Sequence, residues 1–165
     1  MKKTFLLLLS MLFCSLSFGQ VETKWETLTL SSKGVTLYYR FVEDDNNYTF
    51  EVKTIIFKGM TDLPFTVSEG KKFVFHLEDG NDVFFENNRF SESCLGCGSA
   101  GLQGSKAQGA KMYYSMTNEQ MKSLLNNSVT SYKFYTDDDS YEIKISKRKM
   151  SEFKNHLKDI MGEPD

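Results

Sequence analysis

Proline, cysteine, histidine and long hydrophobic runs are all scarce in this sequence. Two prolines in 165 residues exclude a proline-rich chain, and three cysteines are too few for a disulfide-dense mini-protein. The formal net charge of −2 removes the bulk basic surface that nucleic-acid binding wants, so no nucleic-acid partner is expected. No apolar stretch approaches the ~20 residues that span a bilayer as a helix, so no transmembrane segment is expected. Two histidines, His76 and His156, leave little material for a nucleophile–histidine triad. There is no Gly-x-Ser-x-Gly elbow, no His-Glu-x-x-His helix and no carboxylate pair that stands out. These gaps point away from hydrolase chemistry, and no catalytic residue, metal ligand or cofactor is assigned.

The N-terminus reads as an address. Lys2 and Lys3 precede an apolar stretch from Thr4 to Phe13, and Ser17-Phe18-Gly19 offers small residues at the −3 and −1 positions of a cleavage site. Residues 1–19 are therefore expected to be a secretory signal peptide, with Gln20 first in the mature chain. Cys14 raises the idea of a lipid-anchored protein, but Phe13 stands where that processing wants a small residue. Removing residues 1–19 leaves 146 residues, a size suited to one domain with its own core. Lys2 and Lys3 leave as well, so 18 basic side chains face 22 acidic ones, a net charge of −4.

From Val21 to Phe90 the pattern has period two and is rich in aromatic and β-branched residues, the signature of strands. Val35, Leu37, Tyr39 and Phe41 mark one face of a strand. Asp44-Asp45-Asn46-Asn47 is a run of turn formers. Tyr48, Phe50, Val52, Thr54 and Ile56 then alternate again. Phe73, Phe75 and Leu77 lead into Asp79-Gly80, a two-residue hairpin signal, and Val83 and Phe85 return beyond it.

Helices are expected only late. Thr117-Asn118-Glu119-Gln120 has capping-box spacing and opens a helix with Met121, Leu124 and Leu125 on one side. A hairpin follows, with strands from Ser128 to Tyr135 and Tyr141 to Ile145. The last helix runs from about Ser146 to Gly162, with Met150, Phe153, Leu157, Ile160 and Met161 at helical spacing. Strands joined by hairpin signals, with helices few and late, predict an α+β fold, a single domain over residues 20–165. Its antiparallel sheet would have two late helices packed on it. The alternating rhythm of a doubly wound nucleotide-binding fold is absent.

One segment stands apart. Between Asn87 and Gly109 the periodicity stops, and a Gly-rich, Cys-containing loop is expected at about 88–109. It holds Cys94 and Cys97, the two mature cysteines, and Gly96, Gly98, Gly101, Gly104 and Gly109. Those glycines are the candidates for contacts. A local Cys94–Cys97 disulfide is the first expectation, since an exported chain meets an oxidising compartment. Two alternatives use the same pair. Cys-x-x-Cys is the spacing of thiol–disulfide exchange, but no amphipathic helix opens at it. Cys94-x-x-Cys97-Gly98 also resembles half a zinc knuckle, which would need two more ligands or a dimer sharing two knuckles. Gly101-Leu102-Gln103-Gly104-Ser105-Lys106 does not fit a phosphate-binding P-loop.

The remaining polar clusters have plain readings. Asp137, Asp138 and Asp139 lack the glycine and glutamate of an EF-hand and read as a solvated turn. Lys147, Arg148, Lys149, Lys154 and Lys158 read as the solvated face of the last helix, although an acidic surface could meet them. Trp25, Tyr38, Tyr39, Tyr48, Tyr113, Tyr114, Tyr132 and Tyr135 suit either sheet packing or a ligand-binding face. His76 and His156 read as ordinary histidines.

The signal ending Phe18-Gly19-Gln20 resembles those of exported Bacteroidota proteins. The run Tyr114-Ser115-Met116-Thr117-x-x-Gln120, a short helix, the segment Val129 to Ile145 and a final helix are similar to small uncharacterised exported proteins of that group. The resemblance covers about a third of the chain. It implies an envelope location and no particular activity, and no functional residue carries over. The expectation is an exported, non-catalytic binding or interaction module, periplasmic or secreted, with an envelope or extracellular ligand. A thiol-redox or zinc protein centred on Cys94-x-x-Cys97 is the alternative.

Overall fold

The computed structural model of the protein describes residues 20–30, 34–57, 64–97 and 107–162. The expected signal peptide, most of the turn before Gly34, and Gly98, Gly101 and Gly104 lie outside the described residues. The strands are β1 (Val21–Glu22), β2 (Glu26–Leu30), β3 (Val35–Asp44), β4 (Asn47–Ile56), β5 (Thr66–Val67), β6 (Lys72–Leu77), β7 (Asp82–Asn87), β8 (Ser91–Glu92), β9 (Cys94–Leu95) and β10 (Gln108–Met116). Helix α1 (Asn118–Asn126), strands β11 (Val129–Tyr135) and β12 (Ser140–Lys144), and helix α2 (Lys147–Met161) follow. Among the described residues, ten strands form one sheet in the order β1-β3-β4-β10-β7-β6-β11-β12, with β2 also beside β3 and β9 also beside β10. Every pairing is antiparallel, and β5 and β8 form a separate two-stranded sheet.

The expected sheet with late helices is present, and local chemistry explains its turns. Asp45 and Asn46 join β3 to β4 with φ of 49° and 62°, the left-handed conformation that this hairpin turn demands and these residues tolerate. The β6–β7 connection is longer than the two residues expected. Leu77 donates to the Asn81 carbonyl at 2.9 Å, and the Asp79 side chain accepts from the Asn81 amide at 3.0 Å. Thr117 caps α1 with a full capping box, and Ser146 caps α2.

The largest departure from expectation is β10. It runs through Gly109, within the segment expected to be a loop, and pairs with β4 along all nine of its residues. Ala110, Met112, Tyr114 and Met116 alternate inward and are buried.

The sheet curves strongly around its buried face. Three strand spacings of ~4.8 Å separate β4 from β6, yet the rings of Phe50 and Phe73 lie only 5.2 Å apart. Phe153 of α2 closes this concave face, 5.1 Å from Tyr39 and Phe41 and 5.2 Å from Phe75. Lys154 ties the helices together by donating to the carbonyls of Leu125 and Asn127 at 2.8 and 2.7 Å. It therefore caps α1 rather than joining the solvated face expected for the last helix. Among the described residues, no helix is long and apolar enough to cross a membrane.

Candidate functional site

Cys94 and Cys97 are joined by a disulfide with their Cα atoms 5.3 Å apart. The four-residue ring is a turn, with the Cys97 amide donating to the Cys94 carbonyl at 3.2 Å. Cys94 pairs with Gly109 and Leu95 with Gln108, while Gly96, at φ 74°, donates to the Ala107 carbonyl at 2.9 Å. Gly109 therefore does not belong to the loop to which its sequence context assigns it. It is a strand residue, and its glycine has a packing reason: a Cβ there would overlap the Cys97 carbonyl. Ser93 anchors the other side, exchanging hydrogen bonds with Phe65 and donating to Gln108.

The same region holds an opening in the sheet. On this side of β10, β7 pairs only with Tyr114 and Ser115, and β9 only with Gln108 and Gly109. Between them β10 has no ladder partner among the described strands. Asn87, fully buried, spans the divergence. Its Oδ1 accepts from the Tyr113 amide at 3.1 Å, and its Nδ2 reaches the carbonyls of Arg89, Ser68 and Val67 at 2.5, 3.2 and 3.3 Å. A groove of about 400 Å³ lies at the opening. Arg89, Ser91, Glu92 and the disulfide line it, with Lys53, Lys111 and Tyr113 of the adjoining strands.

Its electrostatics are unbalanced. Lys53 of β4 sits directly opposite Lys111 of β10 in the register. Like charges so placed destabilise an antiparallel pair. The Trp25 ring lies beside them, with the Lys53 and Lys111 ammonium groups 4.0 and 5.5 Å from its centre and the Arg40 guanidinium at 5.0 Å. Arg89 lies 3.9 Å over Tyr113, and Lys111 is 4.7 Å from the same ring. Glu51, buried behind them, accepts from Arg40 at 2.6 Å and Lys111 at 2.9 Å. Burial pushes the Glu51 pKa up, but the hydrogen bonds from Arg40 and Lys111 outweigh it and hold the carboxyl below its usual range. Lys53 is pushed below the usual lysine range, first by burial and then by Lys111 and Arg40. Among the described residues, no carboxylate lies within ion-pair distance of Lys53 or Arg89. Ser91 adds a buried hydroxyl with no hydrogen-bond partner among the described residues.

The aromatic residues divide between two roles. Tyr39, Tyr114 and Tyr132 are core residues, and Trp25 and Tyr113 support the cations. His156 is half-buried with its Nδ1 3.2 Å from the Tyr39 hydroxyl, and His76 pairs with Asp82 at 2.7 Å. Asp137 is not a solvated turn residue. Its carboxylate accepts from Thr66 and Ser68 and meets Lys71, and the Thr66 and Ser68 hydrogen bonds hold its pKa below the usual range. Among the described residues, no three His, Cys, Asp or Glu side chains are grouped to hold a metal ion. Sequence reasoning passed over Lys53, Arg89, Ser91 and Lys111, whose meaning depends on register. No protein-family model, curated protein or solved structure matches the chain.

Proposed function

We propose that the protein is an exported, non-catalytic binding module whose contact surface is the groove beside the Cys94–Cys97 disulfide turn. One observation carries this reading. The groove's walls are tied together by hydrogen bonds and a disulfide, but its lining groups are short of partners. Asn87, the disulfide and the close approach at Gly109 fix its shape, while Lys53, Arg89 and the Ser91 hydroxyl have capacity that the protein's described residues do not use. Buried or crowded polar groups left in this state cost stability, and a ligand offsets the cost. The disulfide suits an oxidising compartment, and the N-terminal sequence and the Bacteroidota resemblance agree with export. A bracing role for the cysteines is favoured over exchange because Cys94 lies on strand β9 and Cys97 in the turn after it, without the helix N-terminus that lowers a thiol pKa.

The test is a fragment screen by NMR on the purified protein, with mixed neutral, cationic and anionic compounds. Shifts that cluster on Arg89–Leu95 and Gly109–Tyr113 are expected. Binding that maps elsewhere would overturn the reading. So would turnover on a hydrolase or thiol-reductase panel that one point substitution abolishes.

A further inference from the structure

The groove's lining is not neutral in its demand. Three cations line it, Lys53, Arg89 and Lys111, against one carboxylate, Glu92. The strand register forces Lys53 and Lys111 to face each other, and Glu51 is already engaged by Arg40 and Lys111. Ser91, 7 % exposed, is one of the residues lining the same groove, and its hydroxyl, itself shielded from solvent, has no hydrogen-bond partner among the described residues. A serine hydroxyl reorients by rotation about one side-chain bond and donates readily to a charged oxygen. The volume, about 400 Å³, falls in the range of small-molecule sites. Exposed Phe90 and Leu95 stand close by, Phe90 on the groove wall.

We propose that this groove binds a small organic oxyanion, a carboxylate- or phosphate-bearing compound. Lys53, Arg89 and Lys111 hold its charged oxygens, Ser91 donates a hydrogen bond, and Phe90 packs on its apolar part. The inference rests on the binding-module reading and names the chemistry of its ligand. A bound anion separates two lysines that otherwise repel, so ligand charge and protein strain are relieved together. The disposition of the rings supports an anion over a cation or a stacked neutral ring, because Trp25 and Tyr113 are already occupied by the protein's own cations. The lowered pKa of Lys53 agrees with this crowding.

The experiment compares citrate with its neutral trimethyl ester on the purified protein, by calorimetry and by amide shifts at the groove. Inorganic phosphate and phosphatidylglycerol vesicles form two further arms. Citrate is expected to bind at least about tenfold more tightly than the ester, with affinity falling as salt rises. Lys53→Gln and Arg89→Gln are each expected to weaken it about fivefold or more, and Ser91→Ala about threefold. Lys133→Gln, which removes a lysine over Tyr135 on another strand, leaves it unchanged. Saturation by free phosphate or citrate identifies a soluble anion. Binding only to anionic vesicles, lost in Lys53→Gln, identifies a lipid headgroup carrying the same chemistry. If the ester binds the groove as well as citrate, the anion assignment fails and the binding-module reading stands. If neither anions nor the neutral fragments of the screen perturb the groove, both fail.

Discussion

The two faces of strands β3, β4 and β10 are built from adjacent residues to opposite standards. Tyr39, Phe41, Phe50, Val52, Met112 and Tyr114 point to the concave side, where every one is buried and the rings interlock around Phe153. One residue along, Arg40, Glu51, Lys53, Lys111 and Tyr113 point to the other side. There, lysine faces lysine and one buried carboxylate serves two cations. The first face is almost wholly apolar and close-packed, and one of its few polar atoms, the buried Thr54 hydroxyl, has no hydrogen-bond partner among the described residues. The second leaves charged groups crowded or short of partners. A single backbone ladder supports both, so the difference reflects what each face does rather than how well the sheet is made. Like charges crowded together on one face of a well-packed sheet are the kind of local conflict found at binding surfaces.

The strongest way to break this contrast is to damage the close-packed face. Phe153→Ala opens a cavity where four aromatic residues meet and is expected to cost about 3–5 kcal/mol, a large share of a small domain's stability. A denaturant midpoint measures it. Loss below about 1 kcal/mol would mean that α2 does not close the core. Asn87→Ala comes next. It leaves the Tyr113 amide and three carbonyls without their partner beside the groove, at a cost of about 2–3 kcal/mol. Unlike Phe153→Ala, it should also release Arg89, so a variant kept folded by low temperature should still lose groove binding.

The contrast also explains what the sequence made legible. The inner face is legible through alternation, from Val35 to Phe41 and Tyr48 to Ile56, and the first helix through its capping box at Thr117. These signals are local, and burial or capping enforces them directly. Strand β10 was missed although Ala110, Met112, Tyr114 and Met116 alternate, because Gly109, Ala110 and Lys111 have poor strand propensity. Their strand is imposed from outside, by β4 along its full length and by the Cys97 carbonyl over Gly109. The groove was illegible for a deeper reason. Lys53 and Lys111 are 58 positions apart in the numbering. Only the β4–β10 register makes them neighbours. The cysteine pair drew attention to the right region, but the charged residues that give it chemistry lie on the strands it leans against.

Asp137 marks the boundary between the two kinds of construction, a charged group that is fully satisfied. Its carboxylate joins Thr66 and Ser68 to the β11–β12 turn. Its pKa is depressed in the folded protein, first by Thr66 and then by Ser68 and Lys71. The stabilisation is therefore complete above the ordinary carboxylate pKa of about 4 and is lost as pH falls through the lower folded value. Asp137→Asn should cost about 1–2 kcal/mol at pH 7. The gap to the wild type should narrow as pH falls below the ordinary carboxylate range. A gap that persists undiminished in acid would show that the hydrogen-bond geometry, not the charge, carries the effect.

The smallest expected effect tests the contrast most sharply, because its sign differs from the others. Lys53→Gln relieves the repulsion with Lys111 and Arg40 and gives up the contact of the ammonium with Trp25. Each contribution is worth about 0.2–1 kcal/mol, so they nearly cancel. Removing the burial of a charge then tips the balance toward a gain of up to about 0.5 kcal/mol. Because Lys53 loses its proton more readily folded than unfolded, the wild type should gain stability as pH rises toward the lysine range. The variant should lack that rise, and its advantage should shrink in high salt, where the repulsion between the two lysines is screened. Thermal melts at several pH values and two salt concentrations measure both. A variant that is more stable and binds anions less well would separate the two faces by energy as well as by chemistry. A variant that is clearly destabilised would instead make Lys53 part of the structural framework, held by Trp25 for the fold's own sake.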